Sequence, residues 1–165
     1  MFINIEFTCG DKNEAVSIIR EAAQWLIDIG KPMWRLDDLT FYKLNNPLNE
    51  FIVIRVNGIS AAAMTLSFED KFFWPNIKLN TSGFIHKLSV RREYAGKGYA
   101  KMLVDHAKKI CLDKKIYCLR LDCDPHRKGL NEFYLNCGFT LVEIKTINTN
   151  DLGTIDLAMY EMNFS

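Results

Sequence analysis

Two glycines in the middle of the chain mark the place best suited to hold a phosphate group. Gly96 and Gly98 lie in a short loop between an apolar strand-like run and an amphipathic helical run, within residues 88–103. Glycine lets the backbone approach a ligand closely, and a helix start leaves about four N–H groups without intrahelical acceptors. These donors and the positive end of the helix dipole favour phosphate or pyrophosphate. The loop is therefore predicted to bind a phosphate-bearing molecule.

This loop has three alternative interpretations. A tight strand-to-helix turn without a ligand is the structural alternative. A dinucleotide fingerprint is disfavoured because Lys101 stands where the third glycine of Gly-x-Gly-x-x-Gly would be. A Walker phosphate loop is also disfavoured, since the chain has Gly96-Lys97-Gly98 where Gly-Lys-Ser/Thr is required.

Helices and strands that would position the loop follow from the spacing of apolar residues. Helical periods cover residues 14–29, 98–113 and 130–137, and Gly30 and Gly138 are predicted to end the first and the last of them. Asp37 or Asp38 is predicted to cap a second, short helix that runs to Leu44.

Strand-like runs cover residues 50–56, 59–68, 84–90, 116–123, 139–147 and 154–162. Asn57-Gly58 predicts a hairpin turn between the first two runs, and the polar residues 148–153 predict a turn between the last two. Residues 69–83 are aromatic and irregular. The resulting order, αα-ββ-β-α-β-α-ββ, predicts an α/β (α+β) mixed sandwich around one central sheet.

Composition limits the class of protein. The 165 residues are expected to form a single domain over 1–165, with 48% apolar residues, 25% charged residues and a net charge of +1. This balance predicts neither a nucleic acid nor a membrane as partner. The five cysteines are odd in number and include no Cys-x-x-Cys pair, and the start lacks the features of a signal peptide. Reduced thiols, a cytoplasmic location and no metal site are expected.

The middle of the chain resembles the GCN5-related N-acetyltransferase (GNAT) superfamily, over roughly residues 50–162. The family signature is Arg/Gln-x-x-Gly-x-Gly/Ala between the fourth strand and the next helix. Here it corresponds to Ala95-Gly96-Lys97-Gly98-Tyr99-Ala100, with alanine replacing the leading Arg or Gln. The resemblance implies a mostly antiparallel sheet with splayed fourth and fifth strands, and acetyl-CoA as the acyl donor.

A second matching segment strengthens the resemblance. The family ends its fourth helix with a tyrosine followed shortly by Gly-Phe, and Tyr134 and Gly138-Phe139 fit this pattern. Tyr134 would protonate the leaving thiolate, a task for which a phenol is suited. Arg127 stands where the family usually has an asparagine that contacts the pantetheine arm. Asn131, one helical turn before Tyr134, could partly replace that contact.

The resemblance assigns coenzyme-binding roles to residues of both strands and of the loop. It places the pantetheine amides against backbone groups of the fourth and fifth strands and the pyrophosphate against the loop. Arg91, Arg92 or Lys97 could supply the charge that Ala95 lacks. The predicted cofactor-binding residues are Leu88, Ser89, Val90, Ala95, Gly96, Lys97, Gly98, Tyr99, Ala100, Asn131 and Tyr134.

The sequence indicates less clearly which residues bind and deprotonate the acceptor amine. His86 lies on the strand that enters the loop, on the same side as Leu88 and Val90 if the strand alternates strictly. It would take the proton from the attacking amine near its natural pKa, and a structural histidine is the alternative. Asp122 would hold the amine or orient water. The aromatic residues Trp34, Phe73 and Trp74 would line the acceptor pocket, or simply pack in the core.

These observations predict an acyl-CoA-dependent N-acetyltransferase that acts on a small-molecule amine, by direct attack in a ternary complex. Tyr134 and His86 are the predicted catalytic residues. A covalent route through Cys123 or Cys137 is disfavoured, because buried cysteine often serves as a small apolar residue. Two alternatives stay open: a coenzyme A-binding module without catalysis, and an enzyme that acetylates a protein amine. A homodimer also stays open.

Overall fold

The chain divides into two compact units in the computed structural model, which describes residues 2–150 and 153–165. The first unit comprises residues 2–67 and 85–107, and the second comprises residues 68–84, 108–150 and 153–165. The elements in chain order are β1 Ile5–Cys9, α1 Lys12–Asp28, α2 Phe41–Leu44, β2 Glu50–Val56, β3 Ile59–Ser67, β4 Gly83–Val90, α3 Tyr99–Asp113, β5 Cys118–Cys123, α4 Lys128–Cys137, β6 Thr140–Thr149 and β7 Gly153–Asn163. The single domain over 1–165 stays a prediction.

The strands are hydrogen-bonded in the order β1-β2-β3-β4-β5-β7-β6. The ladders β1–β2, β2–β3, β5–β7 and β6–β7 are antiparallel. The ladder β4–β5 is parallel and pairs Gly83 with Leu119 and Phe84 with Arg120. The predicted α/β (α+β) class with a mostly antiparallel central sheet is confirmed. The predicted splaying of β4 and β5 would lie beyond Phe84 of β4, and it stays a prediction.

The first unit is built on α1, whose apolar stripe packs on the strands. Ala15, Ile18, Ile19 and Ala23 are fully buried on this helix. They form one core cluster with residues of β2 and β3 that include Phe51, Val53 and Ala63. The hairpin between those strands turns at Asn57 and Gly58, whose φ angles of 51° and 81° are those of a type I′ turn. The predicted hairpin is confirmed.

Strand β1 was not predicted from the sequence. Its five residues pair antiparallel with β2, from Ile5 opposite Val56 to Cys9 opposite Ile52. A run this short carries little periodicity of its own, so its extended conformation depends on the partner strand. The observed order therefore begins with a strand before the first helix.

The cap of the short helix α2 also differs from the prediction. Thr40 is the N-cap residue, and its hydroxyl accepts the Lys43 N–H at 3.2 Å. Asp37 and Asp38 instead lie in a 3-10 turn over Leu36–Asp38. Threonine is among the good N-cap residues, and Thr40 is the one placed directly before the helix.

The second unit is organised by α4 and by the hairpin of β6 and β7. Helix α4 ends at Gly138, whose φ of 104° is left-handed. The Gly138 N–H donates to the Leu135 carbonyl and the Phe139 N–H to the Tyr134 carbonyl, both at 3.1 Å. These bonds satisfy carbonyls at the helix end and turn Phe139 into the core, where it is buried. The predicted turn over 148–153 includes residues 151 and 152, which lie outside the described residues.

Candidate active site

The predicted phosphate loop has the backbone that its sequence requires. A 3-10 turn over Arg92–Tyr94 follows β4, and α3 begins directly after the loop at Tyr99. Gly96 and Gly98 have φ angles of +73° and +87°, in the region that favours glycine. The first helical bond joins the Met102 N–H to the Gly98 carbonyl at 3.1 Å. The N–H groups that precede this bond are the donors a helix start offers to an anion.

Space in front of the loop is consistent with a bound phosphate group. A β-carbon added at Gly96 or Gly98 would meet no other atom within 4 Å, so both glycines border open space. No neighbouring protein atom therefore requires the absence of a side chain at either position. The residues present therefore fit a pyrophosphate, because the backbone is exposed and the helix start carries partial positive charge.

Arg91, one of the three basic residues near the loop, is held within the first unit. Its Nε donates to the Ser60 carbonyl at 2.9 Å, and its Nη2 donates to the Ser60 hydroxyl at 3.2 Å. Its guanidinium also pairs with Glu21 at 3.3 Å and with Glu14 at 3.8 Å. These contacts anchor the end of β4 to α1 and β3, so Arg91 acts on the loop by fixing the chain before it.

Of the other two basic residues, Lys97 is the better placed for an anion. The Arg92 guanidinium carbon lies 3.7 Å from the ring centroid of Trp25, a stacked cation–π contact. Lys97 is exposed, and its Nζ lies 5.7 Å from the ring centroid of Tyr94. Which basic residue compensates for Ala95 stays a prediction, with Lys97 the candidate that these contacts favour.

Strand β4 does not alternate strictly. Lys87 has a φ of 56°, which is unusual for a residue with a side chain, and its carbonyl accepts the Ser89 hydroxyl at 2.9 Å. A left-handed residue inside a strand changes the direction of the side chains that follow. Strict alternation, the premise that placed His86, Leu88 and Val90 on one side of β4, therefore does not hold at Lys87. The His86 carbonyl accepts the Thr65 hydroxyl at 3.3 Å.

Trp34 is partly buried and packs against the core cluster of the first unit. The Lys87 ammonium lies 4.9 Å from its ring centroid. This contact links the chain after α1 to the left-handed residue of β4. Trp34 thus has a packing role in addition to any role as a pocket wall.

Tyr134 lies on α4 in the second unit, where its side chain is only 6% exposed. Its ring packs against Phe133, Phe139 and Tyr160, at centroid distances of 5.3, 5.9 and 6.1 Å. Burial raises the pKa of the phenol, and the charges of nearby Cys123, Asp122 and Cys137 raise it further. The hydroxyl therefore keeps its proton across the pH range of an ordinary assay, and it is a weaker acid than a free phenol.

Asn131 is engaged within the protein. Its amide group donates to the carbonyls of Asp124 and Arg127 at 2.9 and 2.7 Å. Its Oδ1 accepts the Tyr160 hydroxyl and the Cys123 thiol. Both N–H donors and both acceptor positions of the amide are thus used. The structure gives Asn131 a positioning role at the start of α4, which its sequence position alone did not indicate.

Two carboxylates lie together in the second unit. Asp122 on β5 and Asp70 in the aromatic segment have carboxylate oxygens within 4.8 Å of one another. Asp70 Oδ1 also accepts the N–H groups of Phe72 and Phe73, at 3.1 and 2.9 Å. Asp70, which was not predicted from the sequence, therefore fixes the aromatic turn beside Asp122. The Asp-x-Phe-Phe spacing is the signal that could have identified it.

Phe73 and Trp74 differ in their surroundings. Trp74 is 8% exposed and belongs to a core cluster with Phe84, Leu157 and Met159, and Phe73 packs on this cluster while partly exposed. The core-packing alternative therefore describes Trp74, whereas Phe73 keeps an accessible surface.

No helix within residues 2–150 and 153–165 has the length and apolar character needed to cross a membrane. The five cysteines are free thiols. The mixed sheet, together with a glycine turn that opens directly into α3, defines an α/β protein suited to a phosphate-bearing ligand.

A comparison with family models identifies this class. The model of the acetyltransferase (GNAT) family matches residues 19–139, and the chain belongs to this family. Its members transfer acyl groups from acetyl-CoA, so the predicted family and donor class are confirmed.

Individual relatives agree with this assignment. The chain is 30% identical over 105 residues to a streptothricin acetyltransferase of Escherichia coli, in an alignment that covers 60% of this chain and 60% of that relative. The ribosomal-protein-S18-alanine N-acetyltransferase of Escherichia coli has a similar fold, with a TM-score of 0.70 at 18% identity over 99% of this chain and 95% of the other. A PaiA N-acetyltransferase from Thermoplasma acidophilum, solved in complex with coenzyme A, gives 0.68 at 19% identity over 99% and 100%.

Proposed function

We propose that this protein transfers the acetyl group of acetyl-CoA to the amine of a small molecule, by direct attack in a ternary complex. The observation that carries the proposal is the glycine loop with two left-handed φ angles ahead of the open start of α3. Acetyl-CoA supplies the activated thioester. The name of the streptothricin acetyltransferase relative supports a small-molecule acceptor.

The loop residues hold the pyrophosphate in this proposal. N–H groups of Ala95–Ala100 donate to it, and Lys97 adds the positive charge that the alanine at position 95 lacks. Backbone groups of Leu88, Ser89 and Val90 bind the pantetheine amides, as the family resemblance implies. Arg91 keeps this segment fixed through its bonds to Ser60.

Tyr134 supplies the proton that the leaving thiolate needs. Burial raises the pKa of this phenol, so it is protonated before the reaction begins. The same shift makes it a weaker acid, so the proposed role is supported by the family motif that Tyr134 and Gly138-Phe139 match and not by its pKa. The amine must lose a proton in the same reaction, and His86 is the base assigned to accept it, directly or through water. A coenzyme A-binding module without catalysis is disfavoured, because it would need neither group.

Direct transfer is favoured over an acyl-enzyme because Cys123, whose charge acts on Tyr134, is a poor nucleophile. Burial raises the pKa of the Cys123 thiol to about 12, and the charges of Asp122 and Asp124 contribute. Since the thiolate is the reactive form, almost none is present at neutral pH. The Cys123 thiol is also turned to the Asn131 amide oxygen, at 3.5 Å.

The acceptor amine is assigned to the carboxylate pair of Asp122 and Asp70. An amine with a second, cationic group would be attracted by two carboxylates held this closely. Asp122→Asn is expected to raise the KM for such an acceptor about tenfold, since a hydrogen bond to a charged group contributes ~1.5–3 kcal/mol. The KM for acetyl-CoA should stay constant in steady-state assays.

Asp28→Asn is the matched control for this substitution, because Asp28 is exposed at the end of α1. An equal rise in both variants, or an effect of Asp122→Asn on the acetyl-CoA KM alone, would remove Asp122 from the acceptor site.

Lys97→Ala is expected to weaken acetyl-CoA binding about fivefold at low salt and less at high salt. An exposed charge contributes up to about 1 kcal/mol and is screened by ions. Isothermal titration at two salt concentrations measures both effects. Lys101→Ala is the control, because Lys101 is paired with Asp105 at 2.9 Å. If the two variants bind acetyl-CoA equally well, Lys97 is not a phosphate ligand.

The proposed function is tested first by the melting temperature with acetyl-CoA, coenzyme A, ATP and NAD, each in excess. A ligand at about 100 times its Kd stabilises the folded state by ~2.7 kcal/mol, which is several degrees for a chain of this size. We expect a rise with the two coenzyme A species alone, followed by acceptor-dependent thiol release in an amine screen. No rise with them, or a larger rise with a nucleotide, would refute the proposal.

A further inference from the structure

The hydroxyl of Tyr160 is a buried polar group that the proposed reaction does not use. Tyr160 lies in β7, opposite Leu121 of β5 and Leu141 of β6, and it is 1% exposed. A buried tyrosine hydroxyl needs a hydrogen-bond partner, because leaving it unpaired costs free energy. Its partner is the side-chain oxygen of Asn131 on α4. This bond connects the sheet to the helix that carries Tyr134.

Asn131 extends this connection to the start of α4. Its amide nitrogen donates to the Asp124 carbonyl at 2.9 Å and to the Arg127 carbonyl at 2.7 Å. Asp124 directly follows β5, and Arg127 directly precedes α4. Since the oxygen and the nitrogen of the amide are both bonded, a shift of this side chain would break hydrogen bonds on both sides. The bond from Tyr160 therefore fixes the chain between β5 and α4 relative to β7.

Tyr134 lies on the same face of α4 as Asn131, because residues three apart are neighbours on a helix surface. The rings of Tyr160 and Tyr134 pack at a centroid distance of 6.1 Å and an interplanar angle of 46°. Tyr160 thus contacts two residues of this face, Asn131 through its hydroxyl and Tyr134 through its ring. The ring contact limits how closely α4 approaches the sheet. The hydrogen bond has a preferred distance and direction, so it also limits sliding and rotation of the helix.

We propose that Tyr160 is a positioning residue for acetyl transfer: through Asn131 it holds α4 where the Tyr134 hydroxyl can reach the leaving thiolate. This inference rests on the proposed function, in which Tyr134 is the proton donor. A proton donor must come within about 2.6–3.2 Å of its acceptor, and a misplacement of about 1 Å can lower a rate about 100-fold. The Tyr160 hydroxyl is engaged with Asn131, so Tyr160 acts on the reaction through the position of Tyr134.

Single-turnover kinetics of Tyr160→Phe, Tyr134→Phe and the double variant test the proposal. Tyr160→Phe keeps the ring and removes only the hydroxyl. It is expected to lower the rate of acetyl transfer about tenfold, while the Kd for acetyl-CoA changes by less than about threefold. In the Tyr134→Phe background the same substitution should change the remaining rate by less than about twofold, because no phenol is left to position. A purely structural role of Tyr160 would lower the rate by the same factor in both backgrounds.

A second pair of variants tests the connection through Asn131. Asn131→Leu replaces the amide by an apolar side chain that cannot accept the hydroxyl, so Tyr160→Phe should have no further effect on the rate in this background. Thr146→Val is the matched control, because it removes a hydroxyl that donates to Asp156 within the β6–β7 hairpin, and it should keep the wild-type rate. Circular dichroism shows whether each variant is folded.

Three results would overturn the proposal: a Tyr160→Phe rate within about twofold of the wild type, an equal loss with and without the Tyr134 hydroxyl, or an equal loss with and without the Asn131 amide. A wild-type rate in Tyr134→Phe alone would contradict the proton donor of the proposed function, and this inference with it. That result is obtained without any change at Tyr160, so the two failures are distinguishable.

Discussion

Tyr134→Phe is expected to lower kcat by about 100-fold or more, while the affinity for acetyl-CoA changes by less than about twofold. General acid catalysis contributes roughly 10²–10⁴-fold, and phenylalanine has no proton to give to the thiolate. The ring contacts with Phe139 and Tyr160 are kept, because they involve the aromatic faces and edges rather than the hydroxyl. Single-turnover kinetics and a binding titration separate the two quantities.

The control for this variant is Tyr117→Phe, which removes a hydroxyl from a half-exposed tyrosine of the same unit. Its kcat should equal that of the wild type. The raised pKa of Tyr134 adds a second observable: the wild-type kcat should show no loss on the alkaline side from ionisation of this phenol at pH values up to its ordinary pKa of about 10. Turnover by Tyr134→Phe within threefold of the wild type would show that another group donates the proton.

Gly98→Ala is expected to weaken acetyl-CoA binding about tenfold to a hundredfold. The φ of +87° at this position disfavours any residue with a β-carbon, by roughly 1–2 kcal/mol. A shift of the backbone to relieve the strain would move N–H donors away from the phosphate, and each such bond contributes ~1.5–3 kcal/mol. Titration with acetyl-CoA, together with urea unfolding of the free protein, measures both consequences.

Gly58→Ala is a closely matched control. Gly58 has a φ of +81°, and a β-carbon there would also meet no atom within 4 Å, but it lies in the hairpin turn between β2 and β3. Both variants should lose similar free energy of unfolding, and only Gly98→Ala should lose acetyl-CoA affinity. Equal affinities in the two variants would contradict a phosphate site at this loop.

Several elements could be predicted from the sequence because neighbouring residues determine them. The periods that predicted helices over 14–29 and 98–113 correspond to α1 and α3 within two residues at each end. The turn at Asn57-Gly58 and the end of α4 at Gly138 were also predicted, since glycine or asparagine is required where φ is positive. In each case the residues that predict the element are close to one another in the sequence.

Other features depended on residues far away in the sequence. The strand β1 exists by pairing with β2, about fifty residues later. Coenzyme binding by Asn131 stays a prediction. Its amide oxygen accepts the hydroxyl of Tyr160, a partner that no local pattern could indicate. Arg91 was one of three candidates for the phosphate charge, and its bonds to Ser60 and Glu21 could not be foreseen from its place next to the loop.

The sequence by itself determined the class of fold and the position of the glycine loop, because these depend on short-range periodicity and on glycines that must occupy left-handed backbone, and its motifs resembled the family that the comparison then identified. Only the tertiary structure decided which polar groups are already bonded within the protein, and where β4 departs from alternation at Lys87. It also placed Asp70 beside Asp122. Hydrogen-bond partners and side-chain directions are set by contacts between distant segments, and those contacts exist only after the chain has folded.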